Sequence, residues 1–178
     1  MNRATILVAA LFLSAGALAA QTPEAPKPGP EHQKLAAFVG NWTFDGELKP
    51  GPLGAGGKAT GTDRIQWLPG NFFVERRFAF KSPLGDTQGV EVVGYDTARK
   101  TYTYNAFDNM GGLGSGTLTV KGNTWNASGT LNIAGQTIHE RCQITFGTNA
   151  TTLAMTCEMS LDGKTFAPSF EGKGTKGK

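Results

Sequence analysis

Histidine and cysteine are scarce in this chain of 178 residues, with two of each. His32 and His139 stand far apart and form no pair at metal-ligand spacing, so a histidine-based metal centre is not expected. An excess of charge of one sign is also lacking. The 17 Lys and Arg oppose 14 Asp and Glu, a formal net charge of +3, and no basic stripe with interleaved aromatics accompanies them. Nucleic acid is therefore excluded as the expected partner. Apolar runs are short: the most apolar, residues 4–13, falls well below the roughly 20 residues of a membrane helix. Nucleophile and phosphate motifs are missing too. Ser115, in the Gly-rich stretch 111–116, lacks the strand-turn-helix setting of a nucleophile elbow, and no helix follows to receive a phosphate. After Gly40 helical periodicity is absent.

What is present begins with a leader. Arg3 precedes the apolar run, and the small residues 14–20 end in Ala17-Leu18-Ala19-Ala20. This pattern predicts a secretory signal peptide over residues 1–20, cut beside Ala19 or Ala20, with an uncleaved anchor as the rival reading. Loss of Arg3 takes 17 basic residues to 16 against 14 acidic, a net charge of +2. The expected location is periplasmic or secreted, and in such a compartment Cys142 and Cys157 are expected to pair. Residues 21–29 read as a Pro-rich extended lead-in, residues 30–172 as a single domain, and residues 173–178, where lysine alternates with glycine, as a flexible tail.

Pro30 to Val39 predicts a short helix: Pro30 suits its first turn, Leu35, Phe38 and Val39 share a face, and Gly40 ends it. From there the period is two. Candidate strands cover residues 42–48, 58–68, 72–80, 88–96, 100–107, 113–121, 124–133, 137–146, 151–161 and 164–171, about ten in series. Around a turn at residues 147–150, Cys142 and Cys157 are equidistant, which sets Phe146 opposite Leu153, Ile144 opposite Met155, Glu140 opposite Met159 and Ile138 opposite Leu161. Pro69-Gly70 as a two-residue turn sets Trp67 opposite Phe72, Ile65 opposite Val74, Asp63 opposite Arg76, Gly61 opposite Phe78 and Arg64 opposite Glu75. Asp162-Gly163 likewise sets Met159 opposite Phe166, Met155 opposite Phe170 and Pro168 opposite Cys157. Proline donates nothing to a ladder, so the last strand is expected to lack a neighbour at Pro168. An antiparallel up-and-down meander with one apolar face per strand is best buried by closing into a barrel. With about eight strands or more such a barrel can enclose a ligand-sized space, and Gly114, Gly116 and Gly129 on the apolar face leave room.

Several motifs resemble a known family. Gly40-Asn41-Trp42 after a short helix is similar to the Gly-x-Trp signature of lipocalins. Trp67-Leu68-Pro69-Gly70-Asn71-Phe72, Gly94-Tyr95-Asp96 and Phe107-Asp108-Asn109-Met110-Gly111 resemble the bacterial family known as domain of unknown function 1579. The resemblance implies an exported, lipocalin-like (calycin-type) β-barrel of unassigned activity. The family's turn before the third strand reads as paired glycines and an arginine, where this chain has Pro69, Gly70 and Asn71. No cofactor is expected. Haem is the one that the barrel resemblance leaves open, and His139, on the face opposite Ile138 and Cys142, is badly placed to ligate it.

Polar residues on the inner face are the site candidates. Arg76 could hold a ligand carboxylate with Asp63 orienting it, or the two could simply neutralise each other. Glu140 shares the face of Cys142, inside or at the barrel mouth. Tyr95, Tyr102 and Tyr104 share a face with Val93 and Glu91, while the opposite face, Val90, Val92 and Phe107, is apolar too and leaves the inward side open. Trp42, Trp67 and Trp125 are core or cavity wall. The expected function is an exported carrier of a small apolar or amphipathic molecule. The alternatives are an envelope interaction module with a filled barrel, and an enzyme using cavity carboxylates such as Asp63, Glu91, Asp108 and Glu140.

Overall fold

The structure, a computed structural model, describes residues 25–133 and 135–177. The expected signal peptide over residues 1–20 lies outside the described residues. Ten strands follow one another: β1 (Gly40–Leu48), β2 (Gly57–Trp67), β3 (Phe73–Ser82), β4 (Gly85–Asp96), β5 (Thr101–Asp108), β6 (Leu113–Lys121), β7 (Thr124–Ile133), β8 (Gln136–Phe146), β9 (Thr152–Ser160) and β10 (Ala167–Lys176). Each is antiparallel to the next, and β10 pairs back onto β1, so the sheet is a closed barrel. Closure leaves no lateral edge to template aggregation. Turn chemistry sets the connections. At Gly122-Asn123 the flanking residues Lys121 and Thr124 pair directly, and Gly122 takes a φ of 60°, which a residue with a Cβ adopts only at a cost.

The β8–β9 register is the expected one: Cys142 opposes Cys157, Ile144 opposes Met155 and Phe146 opposes Leu153. A disulfide joins Cys142 to Cys157. The ladder ends at the His139–Ser160 pair, so Ile138 does not pair with Leu161, and Leu161 lies exposed.

Two other registers differ from expectation. Across β2–β3 the pairing is shifted by two residues: Trp67 opposes Val74, Ile65 opposes Arg76, Asp63 opposes Phe78 and Arg64 opposes Arg77. The reason is the Pro-Gly turn. Asn71 N–H donates to the Leu68 carbonyl at 3.0 Å and Gly70 has a φ of 90°, so Pro69-Gly70 occupy the centre of a type II turn over 68–71. Asn71 and Phe72 then extend the loop before Leu68 N–H meets the Phe73 carbonyl. A shift of two keeps every side chain on its face, so Asp63 and Arg76 remain neighbours, whereas Glu75 pairs with Arg77 on its own strand and not with Arg64. In β9–β10, Asp162 Oδ1 accepts hydrogen bonds from the Ser160 hydroxyl and from Lys164 and Thr165 N–H, which builds a longer loop than a two-residue turn. Met159 consequently opposes Ala167 and Pro168 opposes Glu158, and after an irregularity between Pro168 and Phe170, Phe170 opposes Cys157 and Gly172 opposes Met155. Pro168 lies beyond the β1–β10 ladder, whose last pair is Leu48–Phe170. Its missing donor is tolerated there without opening the barrel. Residues 173–176, expected in the tail, belong to β10, with Lys176 opposite Trp42.

The helical segment is shorter than the ten-residue expectation: α1 (Pro30–Lys34) runs into a 3-10 turn over Leu35–Ala37. It closes one end of the barrel. Leu35 is fully buried, Phe38 packs edge-on against Trp125 and Phe146, and the Trp42 indole N–H donates to the Phe38 carbonyl at 2.7 Å. The buried aromatics and aliphatics, including Trp42, Ile65, Val74, Val93, Tyr102, Trp125, Phe146 and Leu153, gather in the helix-side half. Each such side chain contributes about 1.5–3 kcal/mol on burial, so this half is the solid core.

Candidate functional site

The other half is hollow. A cavity of about 440 Å³ reaches from Phe38 and Trp42 at its floor to Leu53, Leu84 and Met110 at its mouth. Its volume lies within the range of about 300–1,000 Å³ typical of small-molecule sites. The wall is apolar, built from alternate residues of the strands, such as Leu131, Ile138, Ile144, Met155 and Met159, with the Cys142–Cys157 bridge among them.

Five of the polar side chains lining this space come from five strands, Asp63 on β2, Arg76 on β3, Glu91 on β4, Tyr104 on β5 and Glu140 on β8, and Ser82, Thr87, Asp108 and Ser169 line it as well. The Arg76 guanidinium is bridged to Asp63. Its Nε donates to Asp63 Oδ2 at 2.6 Å and its Nη2 to Asp63 Oδ1 at 3.3 Å. Nη1 lies 3.7 Å from Glu91 Oε2, and the group sits over the Phe78 and Phe80 rings. The Asp63 side chain is only 2% exposed. Burial alone would lower the Arg76 pKa, but Asp63, Glu91 and Glu140 more than reverse this and hold it above the ordinary arginine value. Glu91 is pushed up by burial, with Asp63 adding to the rise and Arg76 opposing it. Glu140 is pushed up by burial and by Glu91, again against Arg76. The Tyr104 hydroxyl is raised by burial and by these two glutamates.

The glycines expected to leave room are used by Tyr104. Gly116 and Gly129 face each other across β6–β7. A Cβ on Gly116 would come within 2.7 Å of the Tyr104 ring, and one on Gly129 would overlap the Tyr104 hydroxyl. Gly129 in turn pairs with Glu140 on β8, which brings the tyrosine hydroxyl and the glutamate to the same stretch of wall.

Of the eight candidate ligand contacts, Arg76, Asp63, Glu140, Tyr104 and Trp42 line the cavity, whereas Tyr95, Tyr102 and Trp67 do not. Tyr95 and Tyr102 face inward but lie beneath the helix, 4.9 Å apart between ring centroids, and the Tyr102 hydroxyl donates to the Glu31 carboxylate at 2.7 Å. Trp67 packs against the helix-side core. Glu91, expected among the carboxylates of the enzyme alternative but not among the ligand contacts, also lines the cavity. The signal for it was the β3–β4 turn at Pro83-Leu84: pairing Ser82 with Gly85 sets Arg76 directly opposite Glu91. Neither histidine lines the cavity. His32, on the buried side of α1, accepts from Gly29 N–H at its Nδ1 at 3.0 Å, and its ring packs on Phe72 and Tyr95. Among the described residues no cluster of His, Cys, Asp and Glu could hold a metal ion, and no helix is long and apolar enough to cross a membrane.

Solved structures share this architecture. Rv2717c from M. tuberculosis superposes with a TM-score of 0.59 at 14% identity, over 84% of this chain and 99% of that one. The S-type phycobiliprotein lyase CPES from Guillardia theta gives a TM-score of 0.54 at 9% identity, over 83% and 93%. At such identities the likeness is one of fold alone. No curated protein matches the sequence. A family model described as "Protein of unknown function (DUF1579)" matches residues 27–173. With the barrel, the N-terminal plug and the Trp42 signature in place over that same span, the chain belongs to the DUF1579 family.

Proposed function

We propose that the protein binds a small apolar or amphipathic molecule inside the barrel and carries it in the periplasm or outside the cell. The observation that carries this reading is the cavity of about 440 Å³, apolar in its wall and furnished with a few convergent polar groups. A barrel acting only through its outer surface has no need of such a space. The large aromatics Trp125 and Phe146 that would fill it are instead packed under the helix. The export side of the proposal rests on the leader-like residues 1–20 and on the Cys142–Cys157 bridge, a crosslink that persists in oxidising compartments.

Native mass spectrometry of protein purified from its own host tests the carrier reading. A retained molecule of small mass, released on denaturation, is the expected result. Protein emerging at its bare mass, and binding no apolar probe afterwards, would exclude it. N-terminal sequencing of the same material is expected to begin next to Ala19 or Ala20, and an intact Met1 terminus would refute cleavage.

A further inference from the structure

Formal charges inside the barrel do not balance. Asp63, Glu91, Glu140 and Asp108 oppose Arg76, which is the single cation among the described residues lining the cavity, and Asp108 accepts from the Met110 and Gly112 N–H groups. Arg76 makes two hydrogen bonds to Asp63, and its Nη1 lies 3.7 Å from Glu91, an ion-pair contact longer than a hydrogen bond. Glu140 has no hydrogen-bond or ion-pair partner among the described residues, and the Tyr104 hydroxyl has no hydrogen bond there either. Both are half-buried and face the cavity. Two polar groups left open toward an apolar cavity mark the place where a ligand's polar end completes the set.

The sign of that end follows from the surroundings. An incoming carboxylate would find Arg76 already bridged to Asp63 and four acids lining the same cavity, a like-charge arrangement that binding sites use to reject partners. An ammonium group carries three N–H donors and no acceptor. It can donate to Glu140, to the Tyr104 oxygen and to the free side of Glu91, and it supplies the missing positive charge. An apolar tail would lie along Leu131, Ile138, Ile144 and Met155. We infer that the cavity selects amphipathic molecules whose polar end is a protonated amine, held by Glu140 and Tyr104 with Glu91 beside them, while Arg76 serves as the internal partner of Asp63 and Glu91. The inference rests on the carrier reading above and sharpens it to a class of ligand.

Octylammonium, octanol and octanoate share a tail and differ in head-group charge, and Trp42 on the cavity floor gives a fluorescence readout of their binding. The expected order has octylammonium at least about tenfold tighter than octanoate, the difference that one added charge contact supplies. Glu140→Gln keeps the side-chain shape and should weaken octylammonium about tenfold while leaving octanol within about twofold, which also reports that the cavity is intact. Octanoate binding as tightly as octylammonium, or an ammonium preference undiminished in Glu140→Gln, would overturn the amine assignment. Octanol binding without any head-group preference would remove the amine and keep the carrier. Failure of all three probes would remove both.

Discussion

Replacing Arg76 by glutamine strips the cavity of its internal countercharge. Asp63, with a side chain only 2% exposed, then loses both its hydrogen bonds from the guanidinium, and Glu91 loses its cationic neighbour. Breaking a buried pair by removing one member costs about 3–5 kcal/mol, because the remaining charge is stranded rather than solvated. For a chain of this length each kcal/mol moves the melting temperature by about 2–4 °C, so Arg76→Gln should lower it by roughly 6–20 °C. Changing both partners, Asp63→Asn with Arg76→Gln, leaves two neutral amides that can hydrogen-bond to each other, and should recover most of the loss. The defect of the single variant also depends on pH. Without Arg76, Glu91 and Glu140 lose the charge that opposes their burial, so each takes up a proton more readily in the folded than in the unfolded state, and the defect should shrink as pH falls from neutral toward about 5. Urea denaturation followed by tryptophan fluorescence at both pH values measures all three quantities. A loss below about 1 kcal/mol at neutral pH, or an equal loss at both, would refute the view that Arg76 neutralises the barrel interior.

The disulfide closes a loop of 15 residues, so Cys142→Ala with Cys157→Ala should cost about 3 kcal/mol, a fall in melting temperature of roughly 6–12 °C. Calorimetry of the oxidised wild type against the variant checks this, and identical melting would contradict it. Glu140 is raised above the ordinary carboxylate pKa by burial and by Glu91, so its folded form holds a proton more tightly than its unfolded form. That contribution lowers stability as pH climbs from about 4.3 through the raised value, and is absent below both. Glu140→Gln should therefore be more stable than wild type at neutral pH, with the advantage vanishing in acid; a constant difference across pH would be inconsistent with a buried, titrating Glu140.

Much of the barrel could be read along the chain because period two and the turn residues agree from β1 to β10. The β8–β9 register emerged from residue counting alone, since Cys142 and Cys157 flank their turn symmetrically. The β2–β3 register slipped by two because Pro69-Gly70 makes a type II turn inside a longer loop. The inner face nevertheless survived the slip, and with it the neighbourhood of Asp63 and Arg76. Alternation gives no orientation where both faces are greasy. The β4–β5 hairpin was of that kind, and the structure turns Val93, Tyr95 and Tyr104 inward and leaves Phe107 outward and 54% exposed. Depth along the barrel axis was equally invisible. Tyr102 and Trp67 carry the same inward signature as Tyr104 and Trp42, yet they lie outside the cavity lining. Glu91 is legible as a cavity carboxylate, but its place opposite Arg76 depends on the β3–β4 register set at the Pro83-Leu84 turn.

The plug formed by α1 and Phe38 makes the hollow a blind well rather than a tunnel. On the carrier proposal a guest must depart by the opening through which it came, past Leu84 and Met110, so a newcomer cannot push an occupant out from behind. Exchange is then sequential: the well must empty before it refills, and the rate of turnover is set by escape of the resident molecule, however much of its competitor waits outside.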